Sequence, residues 1–193
     1  MTKLFVALDL ETTGLDPKND RILEIAWVVC DQSLNALTPR RSFIVDHGED
    51  WGDVFSLIRS NEAVRRMHQD SGLAGELLSE DGVRMEDISD VLFADILNCS
   101  LSASIHLLGA SIGFDRSFLQ ADLNFTRFFS EDDGLFHHRL YDLSSVKLAY
   151  EVAGLVPPKI ENKSKHRALD DVDEVLEFAR AVKQDFSHME AGL

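Results

Sequence analysis

The chain has 193 residues, 45% of them apolar, with four prolines and eleven glycines, enough to bury the core of one domain and too few breakers for a fibrous or disordered chain. Nineteen basic against thirty-four acidic residues give a formal charge of −15, which repels polyanions and argues against coating long DNA or lying on an anionic membrane. Cys30 and Cys99 are too few for a disulfide scaffold or a cysteine-rich zinc site.

Lys3 to Glu11 reads as a buried strand that turns acidic at its end, followed by a break at Gly14 and Pro17. Arg21 to Cys30 is a second strand, rich in Ile and Val. A third runs from Leu37 to Val45, weakened by Pro39. Three strands joined by short turns predict an antiparallel meander. From Trp51 to about Cys99 the apolar spacing turns helical, with Val54, Leu57 and Ile58, then Ala63, Val64 and Met67, then Ile88, Val91, Leu92 and Ile96. Ile105 to Gly109 is a short buried strand, with a helix from Asp115 to Leu123 behind it. Arg139 to Asp142 reads as one more strand, and Ser144 as the cap of a helix that Gly154 and Pro157-Pro158 close. A polar loop, Glu161 to Lys165, precedes a terminal helix from Ala168 to Phe186. The expectation is a single α/β domain over residues 1–186, with a mixed sheet, and a short tail at 187–193. No apolar run approaches the roughly 20 residues that cross a bilayer, and no secretory signal opens the chain. A cytoplasmic protein is expected.

The chemistry concentrates in three segments. Asp9 and Glu11, two apart on a strand, leave the same face of the sheet. Paired carboxylates resist joint ionisation unless a cation neutralises them, and oxygen-only ligands favour Mg2+ or Mn2+. They sit in Asp9-Leu-Glu11-Thr-Thr13-Gly14, where Thr13 and Gly14 suggest a turn able to meet a nucleotide end. Asp115 stands at a helix start, a position the helix dipole favours in any acidic residue. His166-Arg-Ala-Leu-Asp170-Asp171 is the third segment. Positions five apart on a helix are rotated by about 140°, so His166 must lie in the loop before the helix if it shares a site with Asp171. Asp170 is the neighbouring alternative. No nucleophile elbow or phosphate-binding P-loop occurs. His137-His138 lacks a partner at ligand spacing, and Glu131-Asp132-Asp133 reads as a solvated loop.

Together these segments resemble the DEDDh exonucleases and, within that superfamily, the oligoribonucleases. The resemblance spans residues 4–186 and includes Met67-His68-Gln-Asp-Ser71-Gly72-Leu73, Ser111-Ile-Gly-Phe-Asp115-Arg-Ser-Phe-Leu119 and Arg139-Leu-Tyr-Asp142-Leu-Ser144. It implies a ribonuclease-H-like sheet, the meander plus two parallel strands, flanked by helices. It implies two divalent cations, Mg2+ or Mn2+, held by Asp9, Glu11, Asp115 and Asp171, with His166 as general base; the family spacing favours Asp171 over Asp170. It further implies that Leu15 wedges against the terminal bases, that Ser111, Arg139 and Ser144 hold a 5′ phosphate with His68 nearby, and that the protein is a homodimer. The activity implied is 3′–5′ hydrolysis of short single-stranded RNA to nucleoside 5′-monophosphates by a two-metal mechanism. A single-stranded DNA trimming or proofreading exonuclease is the alternative, and a non-catalytic binding module the competitor from another class. Three positions depart from the family pattern. Ala63 stands where the family carries a stacking Trp, His138 where it carries a Tyr, and Ala110 where an Asn is common.

Overall fold

A computed structural model describes residues 2–48, 51–79, 82–99, 102–130, 134–161 and 166–191. Strand β1 (Lys3–Thr12) pairs antiparallel with β2 (Ile22–Cys30), which pairs antiparallel with β3 (Arg41–Asp46). Helices α1 (Trp51–Ser60), α2 (Glu62–Asp70) and α3 (Leu73–Ser79) follow, then the two-residue strand β4 (Val83–Arg84) and helix α4 (Met85–Cys99). Strand β5 (Ser104–Gly109) lies parallel to β1, helix α5 spans Gly113–Ala121, and α6 (Thr126–Phe129) leads to β6 (Tyr141–Asp142), parallel to β5. Helices α7 (Leu143–Val152) and α8 (Ala168–Ala191) complete the chain, and the six strands run β4-β3-β2-β1-β5-β6. The mixed sheet expected from the sequence is present. It also carries β4 parallel to β3, a two-residue pairing too short to leave a periodic signal.

Strand alternation divides the core. Leu4, Val6, Leu8 and Leu10 face one side with Trp27, Val29, the α4 residues Ile88, Leu92 and Ile96, and a group of phenylalanines led by Phe118, Phe125 and Phe128. Ala7, Ala26 and Val28 face the other, where α7 and α8 supply Leu143, Tyr150, Val172, Leu176, Ala179 and Val182. The small side chains of Ala7 and Ala26 let α8 lie close on the centre of the sheet. The same alternation that turns Ala7 toward α8 turns Asp9 and Glu11 toward it as well. A smaller cluster of Leu23, Ile44, Val54, Ile58, Leu73 and Leu77 seats α1 and α3 at the end of the sheet where β1 finishes.

Several boundaries differ from expectation for local reasons. Strand β3 begins at Arg41 rather than Leu37, because Pro39 cannot join a ladder and Leu37 remains exposed. Helix α5 starts at Gly113 and stops at Ala121; Asp122 turns extended and caps the 3-10 turn Leu123–Phe125 with its side chain. The cap of α7 is Asp142, which accepts from the amides of Ser144 and Ser145, and not Ser144 itself. Residues 187–191, expected as the start of a tail, continue α8. The acidic loop Glu131-Asp132-Asp133 lies outside the described residues, as does most of the polar loop before His166. Among the described residues no helix is long and apolar enough to cross a membrane.

Candidate active site

Three carboxylates converge where β1 ends. Oxygen atoms of Asp9, Glu11 and Asp171 all lie within 4.8 Å of one another. Asp9 and Glu11 arrive from successive same-face positions of β1, and Asp171 from the first turn of α8 packed above them. Asp170, one residue earlier, is exposed and stands outside the group.

Asp115 comes from the first turn of α5 on the other side of β1. It is buried, and its Oδ1 accepts the Leu10 amide at 3.0 Å. This aspartate is therefore more than a dipole-favoured helix start: it anchors the strand between the two β1 carboxylates. It falls outside the 4.8 Å group, yet its charge acts on both Asp9 and Glu11.

Burial and mutual repulsion hold these acids in their protonated forms well above the usual carboxylate range. Desolvation is the largest cause throughout. It pushes Glu11 up to about 8, with Asp171 and Glu24 adding repulsion and Arg167 opposing. Asp115 is raised to about 7 by burial, against the lowering effect of its backbone hydrogen bonds. Asp9 is raised by burial and by the charges of Asp115, Asp171, Glu11 and Glu24. A divalent cation is the species that relieves such a cluster, so donor set and electrostatics both fit a hard, oxygen-seeking metal ion.

His166 lies two residues before α8, in the loop where its spacing from Asp171 requires it. It is exposed and left-handed, with φ 55°, a conformation uncommon for a non-glycine residue. His68 lies close enough to feel its charge.

The other expected site residues fall into three groups. Ser111 and Ser144 meet, Oγ to Oγ at 3.0 Å, and both donate their amides to Asp142 Oδ1. Arg139 is exposed, and its carbonyl and amide are fixed by His106 and His137. Leu15 is 79% exposed on the turn after β1. Thr13, by contrast, is buried: its hydroxyl donates to Asp20 Oδ1 and accepts from the Arg21 amide, so it builds the turn.

His68 lies inside the fold. It is fully buried, its Nε2–H donates to the Thr12 carbonyl at 2.9 Å, and its Nδ1 stands 3.8 Å from Glu11 Oε2 with no hydrogen-bond partner. Burial lowers its proton affinity, which keeps the ring neutral. Through these contacts it supports the end of β1.

Two further residues bear on the site without having been expected there. Glu24 lies directly across from Glu11 in the β1–β2 register and is almost sealed from solvent. Arg167, next to His166, grips it. A charged residue inside the apolar run Ile22-Leu-Glu-Ile-Ala was the available signal for Glu24. Nothing local marks Arg167. At the departures from the family pattern, Ala63 is exposed on α2, His138 is exposed and stacked on His137, and Ala110 lines a cavity of about 70 Å3 with Asp9, Asp171, Lys147 and Glu174.

Residues 6–67 match the exonuclease family RNase_T. The oligoribonuclease of Corynebacterium glutamicum strain R is 32% identical over 193 residues, covering 97% of this chain and 81% of the relative. That of Pseudomonas fluorescens is 31% identical over 180 residues, covering 93% of each. Exonuclease I of Methylocaldum szegediense superposes with a TM-score of 0.62 at 15% identity, over 95% of this chain and 40% of that one. Escherichia coli exonuclease I, solved as a zinc-bound complex with single-stranded DNA, gives a TM-score of 0.62 at 18% identity over the same shares. This chain thus spans about 40% of the exonuclease I length, and that likeness establishes the fold. The family model and the curated relatives place the chain among the exonucleases. Within that class the chain belongs to the oligoribonuclease family.

Proposed function

We propose that this chain is a metal-dependent 3′–5′ exoribonuclease that degrades short single-stranded RNA to nucleoside 5′-monophosphates. The observation that carries the reading is the convergence of Asp9, Glu11 and Asp171 within 4.8 Å at the end of β1, with Asp115 behind them. These four would hold two divalent cations, Mg2+ or Mn2+. When bound, such ions supply Lewis-acid stabilisation of the attacking and leaving oxygens of a phosphodiester. His166, exposed at the rim, takes the proton of the attacking water while its ring is neutral.

The remaining residues grip the strand. Arg139 would present a planar fork suited to a phosphate, and the paired hydroxyls of Ser111 and Ser144 would add donors. A 5′ phosphate held there, with the 3′ end at the carboxylates, sets the length of RNA that fits. Leu15 offers an apolar surface to the terminal bases. Few phosphates then need neutralising, which suits a chain of charge −15. Ala63 provides no aromatic platform, and base stacking on an aromatic is worth about 1–3 kcal/mol. The grip on bases is correspondingly weaker than a Trp would give.

A length series tests the proposal. With Mn2+ and 5′-labelled RNA and DNA from dinucleotides to twenty-mers, the two- to five-mers of RNA are expected to vanish first, and a chelator to stop the reaction. Efficient trimming of long DNA would replace this reading with a single-strand DNA exonuclease. No cleavage of any length would point to a binding module.

A homodimer and a cytoplasmic site of action belong to the same proposal. His138, which stands where the family carries a Tyr, is exposed and so open to contact with a second copy. Both cysteines are free, as a reducing compartment allows. Light scattering is expected to return twice the 21.7 kDa chain mass, and a monomer mass would remove the dimer.

A further inference from the structure

Glu24 Oε1 accepts from Ser42 Oγ at 3.0 Å and from Arg167 Nη2 at 3.0 Å; its Oε2 accepts from Arg167 Nε at 3.1 Å and from the Ala168 amide at 3.1 Å. A carboxylate has about four lone-pair sites, and all of them are engaged. Arg167 turns its other edge to Glu76 on α3, with Nη1 at 2.7 Å from Oε1 and Nη2 at 2.5 Å from Oε2. Two planar forks thus share one guanidinium, the geometry in which arginine binds carboxylates most strongly. The Glu24 side chain is 2% exposed, Arg167 21% and Glu76 38%.

These bonds join elements distant in sequence. Glu24 lies opposite Glu11, so one carboxylate is tied to the metal-ligand strand through the sheet. Ala168 is the first residue of α8, three before Asp171, so the same carboxylate caps the helix that delivers the third ligand. Arg167 follows His166 directly. Two like charges facing each other across adjacent strands repel, and Arg167 offsets that repulsion for the Glu11–Glu24 pair.

We propose that Glu24 and Glu76, joined through Arg167, form a positioning clamp that fixes His166 and Asp171 against the Asp9–Glu11 strand. This rests on the function proposed above and adds residues that touch neither substrate nor metal. Glu76 makes the clamp a three-element device: α3, whose Leu77 packs with Leu23 of β2, holds the outer edge of the arginine. Without that edge the residue next to the base loses half of its tether.

Outer residues that orient ligands typically govern activity 10–100-fold. Steady-state kinetics on a short RNA are expected to show kcat falling about 10–100-fold in Arg167→Gln and about 10-fold in Glu76→Gln, with KM within about twofold. Arg167→Lys, a point charge unable to fork both ways, should recover part of the loss. Hydrogen exchange on the metal-free protein supplies a readout independent of turnover: amides of 168–171 should exchange faster in Arg167→Gln and Glu76→Gln, with the sheet unchanged. Glu76 lies at the surface end, so its variant remains informative if Arg167→Gln does not fold. Wild-type kcat and wild-type exchange in Glu76→Gln would overturn the clamp, as would a kcat loss matched by an equal rise in KM. His166→Asn separates the two levels. Full activity in it would overturn the assignment of the base, whereas an inactive His166→Asn beside a fully active Glu76→Gln would overturn only the clamp.

Discussion

Asp171→Asn is expected to fold normally and to lose about three orders of magnitude in hydrolysis of short RNA, while Asp170→Asn is expected to stay within about twofold of wild type. A bound metal ion supplies several kcal/mol of transition-state stabilisation, and each 1.36 kcal/mol is tenfold in rate. Asp171 is the only member of the three-carboxylate group that comes from α8, so its amide replacement leaves the two β1 acids without their partner. Asp170, with the same charge one residue away, is exposed and turned from the group. The pair therefore separates metal ligation from the general acidity of the helix start. A calorimetric titration with Mn2+ should show weaker binding in Asp171→Asn alone. Equal losses in both variants would mean that net charge, and not ligation, carries the activity. Retained hydrolysis in Asp171→Asn would remove the carboxylate cluster from the mechanism.

Much of this site was legible because it is governed by local periodicity. Asp9 and Glu11 share a face for the same reason that Phe5 and Ala7 do, and the five-residue step from His166 to Asp171 forces the histidine into a loop. Contacts between distant segments were not legible. Asp115 reads locally as a helix-start charge, and only the approach of α5 to the Leu10 amide, 105 positions earlier, buries it as a strut. His68 sits on a polar helix, and nothing in its neighbours signals that the carbonyl of Thr12 lies beneath it. Arg167 meets Glu24 and Glu76 across 143 and 91 positions. Its neighbour His166 was found by pattern; the arginine needed the packing of α8 on the sheet. Strand β4 escaped for a different reason, since two residues hold no period.

In the absence of metal, the carboxylate cluster should make the protein less stable as the solution turns alkaline, and divalent cations should reverse the trend. The folded-state proton affinities of Glu11, Asp115 and Asp9 are raised, to about 8 for Glu11 and about 7 for Asp115, from ordinary values of 4.5 and 3.8. Between those limits the folded chain binds more protons than the unfolded chain, and stability falls with pH wherever that holds. The contribution is complete below about pH 4 and is lost as pH rises through 7 and 8. Asp16 and Asp31, whose proton affinities are lowered by hydrogen bonds, act oppositely but only in acid. His68, lowered by burial, favours the fold above its ordinary 6.5, so its slope is spent by neutral pH. The clean window is pH 6.5 to 8.5. There the metal-free Tm is expected to drop for wild type and to drop less for Glu11→Gln, which removes the acid raised to about 8 and one of the charges that raise Asp9. Metal at a hundredfold excess over its Kd adds about 2.7 kcal/mol, roughly 5–10 °C for a chain of this size. Because protons compete with the metal for the same oxygens, the rise should be larger at pH 8.5 than at pH 6.5. A metal-free Tm that climbs across this window, or an equal metal shift at both ends, would show that Asp9, Glu11 and Asp115 are not held protonated by one another and that the cation does not bind among them.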